Sequence, residues 1–183
     1  GIPLSATFTS DDQQYSDGAI HILHDRFYSL DGIHSYFERE PGMSMFLAGI
    51  FFLFGVKNSI AVFLVQGVLY MFASILFCHL LSKRISPKIS GICLIFLLTS
   101  GDVFHSIFSA YRESLTLSLL IFFAVFWMQH QASFKIRYLL LSGAFLSFTI
   151  LTYYSFILLP IILLPLLRPW SKKMIVHGLC FIF

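Results

Sequence analysis

From Ser59 to Leu81 the chain runs for 23 residues without a formal charge. As a helix rising ~1.5 Å per residue, that stretch is about 34 Å long, enough to cross the ~30 Å hydrocarbon core of a bilayer. Ser114 to Phe134 is a second uncharged run of crossing length. Composition agrees, since hydrophobic residues make up 57% of the chain and charged ones only 11%. Soluble domains carry roughly a quarter charged residues. The expected fold class is all-α: a polytopic transmembrane helix bundle, with residues 1–57 forming an outer loop with juxtamembrane helices and 58–183 the transmembrane part. The chain opens on Gly1 and ends inside an apolar run, which reads as one partial transmembrane domain cut from a longer protein.

Three further segments complete the expected layout. Ser86 to Gly101 forms a third span. Met43 to Phe54 is apolar but only 12 residues, or about 18 Å, and is placed as a juxtamembrane or re-entrant helix. A full crossing there would move Lys83, Arg84 and Lys88 to the side of the first forty residues, against the positive-inside rule. Tyr138 to Leu167 is uncharged for 30 residues, too long for one span without strong tilt, and is read as a hairpin with its tip at Tyr153–Tyr154–Ser155. Pro160 and Pro165 then fall in the second arm, where membrane helices tolerate them.

This layout sorts the charges. Asp11, Asp12, Asp17, Asp25, Asp31, Glu38 and Glu40 crowd the first forty residues, and Asp102 and Glu113 share one later gap. The other gaps hold Lys83, Arg84 and Lys88, then Lys135 and Arg137, then Arg168, Lys172 and Lys173. All nine acids face outside, the inner loops carrying eight basic residues and no acid. Acids contribute little to topology, so their accumulation on one face points to chemistry. The net charge of +3 is small and topology accounts for the basic residues, which argues against nucleic acid as a partner. Cys78, Cys93 and Cys180 all lie in apolar runs, which argues against a disulfide framework.

Ser10-Asp11-Asp12-Gln13 reads as a helix start with a Ser10/Gln13 capping box, and Tyr15, Ala19, Ile22 and Leu23 recur at helical spacing to about Tyr28. Carboxylates in a first helical turn are favoured in the ionised form, and Asp11 and Asp12 could take a proton from a hydroxyl. Two acids there also serve as ordinary capping residues. Glu38-Arg39-Glu40-Pro41-Gly42 stands before the short apolar helix, and proline suits a first turn. Arg39 could bind a phosphate there; a solvated charged loop is the plainer alternative. Arg112 and Glu113 open a span at headgroup level, where ionisable groups are more often functional than in ordinary loops, with snorkelling as the alternative. His21 and His24 are three apart beside Asp25, but no third metal ligand is fixed by spacing.

In their order and spacing, Asp11-Asp12-Gln13-Gln14-Tyr15, Tyr36-Phe37-Glu38-Arg39-Glu40-Pro41-Gly42 with its helix to Gly55, and Glu113-Ser114-Leu115 resemble the GT-C glycosyltransferases. More narrowly, they are similar to the protein O-mannosyltransferases and the lipid A aminoarabinose transferases, over about Asp11 to Arg168. The resemblance implies transfer of a sugar from a polyprenyl-phosphate carrier to a lipid, glycan or protein acceptor on the outer or lumenal side. It implies Asp11 as general base, with Asp12 completing the acidic pair. Tyr15, Glu38, Arg39 and Glu113 match further motif positions, and Arg112 adds positive charge on the same face. The extra acid Glu40 leaves a second register in which it takes the role of Glu38. No metal is fixed: some members use a divalent cation and others none. The compact loops suggest a bacterial cytoplasmic membrane, and an endoplasmic reticulum membrane would give the same charge pattern. The alternatives are a transporter, polysaccharide polymerase or flippase component, which predicts charges near the midplane of the spans, and a non-catalytic membrane subunit.

Overall fold

The computed structural model describes residues 10–26, 28, 40–101 and 112–160, with the side chains of Ser10, Asp11 and Asp12 outside that description. Six α-helices account for most of it: α1 Ser10–Asp25, α2 Pro41–Phe54, α3 Ser59–Ser82, α4 Pro87–Thr99, α5 Arg112–Ser133 and α6 Ile136–Thr152. A 3-10 turn, Tyr154–Leu158, follows. No strand occurs among the described residues.

By length and composition, α3 and α5 are the two helices able to cross a membrane. At 24 and 22 residues they measure about 36 and 33 Å. They run parallel: Ala61 and Val62 share a core with Leu115 and Leu119, Phe72 lies tilted against Phe122, and Arg84 reaches the carbonyl of Met128. α4 runs back along α3, since the Ser90 hydroxyl donates to the Cys78 carbonyl and the Tyr70 hydroxyl to that of Leu97. α6 runs back along α5, stacking Phe145 on Phe122 and Phe126. The starts of α3 and α5 therefore define one end of the bundle, here the acidic end. Lys83, Arg84, Lys135 and Arg137 mark the other, basic end.

α4 is shorter than the third crossing expected over Ser86–Gly101. Its 13 residues reach only about 20 Å, because Ser100 turns to extended backbone (ψ 115°). Leu97 is level with Tyr70, half-way along α3, so α4 ends well inside the bundle. The expected break at Tyr153 is present: α6 stops at Thr152 and Tyr153 is extended (φ −156°, ψ 101°). Beyond residue 160 the expected returning arm, through Leu167, lies outside the described residues.

α2 lies across the acidic end. Its N-cap, Glu40, touches the first residue of α5, and its C-terminus leads through a four-residue turn into the first residue of α3. Both of its ends are thus at the same level of the bundle. α1 packs on α2, burying Tyr15 and Ala19 with Met43, Leu47, Ala48 and Phe51. Two close approaches fix this layer. A Cβ on Gly18 would stand 2.8 Å from Ser44 Oγ, and one on Gly42 2.6 Å from the Leu151 carbonyl carbon and 2.7 Å from the Thr152 nitrogen. α1 ends at Asp25, short of Tyr28, because Arg26 takes a left-handed conformation (φ 61°), a common helix stop.

Large apolar side chains point outward along the bundle. Leu64, Val68 and Phe72 on α3, Ile92, Ile95 and Phe96 on α4 and Leu140 on α6 are exposed. Contiguous apolar surface of this extent is uncommon on water-soluble monomers, whereas lipid covers it without cost.

Candidate functional site at the acidic end

Pro41 at the first turn of α2 leaves Glu40 as an extended N-cap (φ −67°, ψ 126°) whose carboxylate makes no capping bond. The side chain reaches Arg112 instead. Arg112 Nη1 donates to Glu40 Oε2 at 2.6 Å and to the Tyr15 hydroxyl at 3.0 Å. The Tyr15 hydroxyl in turn faces Glu40 Oε2 at 3.4 Å, a long bond by the usual geometry. Arg112 Nε stands 3.7 Å from Glu113 Oε1, and its guanidinium lies 4.4 Å over the Tyr153 ring. Four separate segments thus meet at one guanidinium.

Burial strengthens the core of this group. Tyr15 is 3% exposed, and the Arg112 and Glu40 side chains are 22% and 13% exposed, so their attraction is screened less than on an open surface. Glu113, at 55%, faces solvent. One cation therefore meets two carboxylates. Beneath them Thr116 Oγ1 bonds the Arg112 carbonyl (2.8 Å) and faces Thr152 Oγ1 (3.3 Å), tying the start of α5 to the end of α6. Tyr28 adds a second phenol beside the site. Burial pushes its hydroxyl above the ordinary phenol range, a bond with Ser44 opposes that, and Tyr15, Tyr154 and Glu40 add to the rise. It is a neutral donor near pH 7 and no base.

Of the residues singled out from sequence, Tyr15, Glu40, Arg112 and Glu113 come together. Asp11 and Asp12 are in the first turn of α1, one turn before Tyr15, with side chains outside the described residues. Glu38, Arg39 and Asp102 lie outside as well. Arg112, read from sequence as positive charge on the outer face, pairs with Glu40, the acid of the second register. Tyr153 and Gly42 were missed as site residues. An aromatic closing an apolar helix is the one local signal for Tyr153, and glycine beside proline that for Gly42. At the margin, Lys57 Nζ meets Asp17 Oδ1 at 3.5 Å and His21 Nδ1 meets Asp25 Oδ2 at 2.7 Å. Among the described residues no group of three His, Cys, Asp or Glu side chains is placed to hold a metal ion.

No protein-family model, curated protein or solved structure matches the chain.

Proposed function

We propose that the chain belongs to an integral membrane glycosyltransferase that moves a sugar from a polyprenyl-phosphate donor to an acceptor hydroxyl. One observation carries this reading. Arg112, Glu40, Tyr15 and Glu113, drawn from distant segments of an apolar helical chain, assemble where two helices of membrane-crossing length begin. That is the level at which a lipid-linked phosphate sits. In this reading the bundle is polytopic, with the acidic end outside a cytoplasmic membrane or in the lumen of the endoplasmic reticulum.

The chemistry assigns each group a task. Asp11 takes the proton from the acceptor hydroxyl, whose oxygen attacks the anomeric carbon as the bond from that carbon to the phosphate oxygen breaks. The polyprenyl phosphate leaves with the bonding electrons. Arg112 faces the departing phosphate, held in place by Glu40, Tyr15 and the Tyr153 ring, and Arg39 supplies the second positive charge. Preorganised charge at a leaving group is worth roughly 10²–10³ in rate per donor removed.

A second reading has its own observation. The Glu40–Arg112 pair sits beside the backbone contact of Gly42 with Leu151 and Thr152, so it also suits a purely structural clamp in a non-catalytic subunit. Charged residues of α3–α6 fall at helix ends, and this gives no support to a transport path.

The test is sugar transfer by the reconstituted protein from radiolabelled polyprenyl-phosphate sugars to membrane acceptors, wild type beside Asp11→Asn. Label moved by wild type and lost in an equally stable Asp11→Asn protein is the expected result. No transfer with any donor from a well-folded wild type removes the enzyme reading and leaves the clamp.

A further inference from the structure

The basic end carries a site of its own. A cavity of about 280 Å³ opens between the end of α3 and the last turns of α5, lined by Leu80, Lys83, Arg84, Met128, Gln129 and Ala132. Arg84 Nη2 donates to the Met128 carbonyl at 2.5 Å. That single bond fixes the guanidinium at the rim and leaves its other donors unassigned among the described residues. Lys83 and Arg84 are both exposed, and among the described residues neither meets a carboxylate. The sequence has none to offer nearby: no Asp or Glu occurs between Pro41 and Gly101 or beyond Glu113.

We propose that this cavity binds the phosphodiester headgroup of an anionic phospholipid. The inference rests on the membrane reading of α3 and α5 and not on the transferase reading of the opposite end. Three features favour a lipid over a free phosphate. The cavity sits at the terminus of two helices of crossing length, at headgroup depth. Its lining mixes the cations with apolar Leu80, Met128 and Ala132. Exposed Ile85 and Phe134 flank it, where acyl chains would lie. Two cations without a carboxylate beside such a lining suit a group with an anionic head and a greasy tail. Basic pockets between helix ends on the inner face bind anionic headgroups in this manner. Lysines and arginines at a membrane boundary also snorkel without binding any particular lipid, and the test separates the two.

The protein, purified in a zwitterionic detergent, is titrated with phosphatidylglycerol or phosphatidylcholine, and bound lipid is counted by native mass spectrometry. Wild type should retain phosphatidylglycerol in preference to phosphatidylcholine. Lys83→Gln with Arg84→Gln should weaken phosphatidylglycerol binding roughly 25-fold, about fivefold per cation. Lys83→Gln alone keeps the Arg84–Met128 bond and should lose about fivefold, which guards against a fold defect in the double variant. Lys135→Gln with Arg137→Gln removes the same charge outside the cavity and should leave binding within about twofold. Equal losses in the two double variants, or none in either, would overturn the site. Displacement of the lipid by millimolar inorganic phosphate, with no preference for a lipid-borne headgroup, would overturn the choice of ligand.

Discussion

At the acidic end Glu40, Tyr15, Arg112 and Tyr153 arrive from four segments, Tyr15 and Arg112 standing 97 residues apart in sequence, and interlock around one guanidinium. At the basic end Arg84 makes one bond to a carbonyl, and Lys83 and Arg137 are exposed. The same chain therefore spends its polar residues in two ways. One end converts charge into fixed geometry, which binding and catalysis demand. The other keeps Lys83 and Arg84 exposed beside a cavity, with Arg137 held, among the described residues, by its neighbour Tyr138 alone, which suits the proposed headgroup capture.

The two ends also differ in what packs beneath them. α1 and α2 are layered over the acidic end with Met43, Leu47 and Phe51 buried, and each such side chain withdrawn from water contributes about 1.5–3 kcal/mol. In the proposed membrane setting, lipid is as apolar as a partner helix, so close packing and buried hydroxyls must do more between α3, α5 and α6. Ser118, Ser142 and Thr149 there bond back to carbonyls of their own helices.

Predictions follow the contrast in order of expected effect. Gly42→Ala should be the most damaging single change, about 3 kcal/mol by thermal or denaturant unfolding, because the added Cβ meets backbone of α6 that cannot rotate away. A stability within about 0.5 kcal/mol of wild type would show that α2 does not sit against Leu151. Glu40→Gln should cost about 2 kcal/mol, since it leaves a half-buried guanidinium without its nearest carboxylate. Tyr15→Phe should cost about 1 kcal/mol for one hydroxyl that both accepts and donates. Arg84→Gln should cost no more than about 0.5 kcal/mol, its single bond being exposed. A larger loss for Arg84→Gln than for Glu40→Gln would erase the distinction between the ends.

Much of the architecture was legible because a long uncharged run reads directly as a helix long and apolar enough to cross a bilayer. The runs at Ser59–Leu81 and Ser114–Phe134 correspond to α3 and α5 within two residues at each end, and the break at Tyr153 was marked by two tyrosines inside an apolar stretch. The halt of α4 at Thr99 was not legible, since nothing in Thr99-Ser100-Gly101 forbids another helical turn. Nor was the left-handed stop at Arg26, a residue with no special liking for that conformation. In the site, residue types were legible and pairings were not. Arg112 declares a need for a partner, but whether Glu38 or Glu40 answers depends on how Pro41 and Gly42 seat α2 against α6.

The measurement that goes to the centre is a charge swap, Glu40→Arg with Arg112→Glu, read for both unfolding and sugar transfer. A catalytic site predicts that the swapped pair recovers stability to within about 1 kcal/mol of wild type while transfer stays down by roughly 10²-fold or more, because the cation no longer faces the phosphate. Recovery of transfer together with stability would contradict it and make Arg112 a clamp.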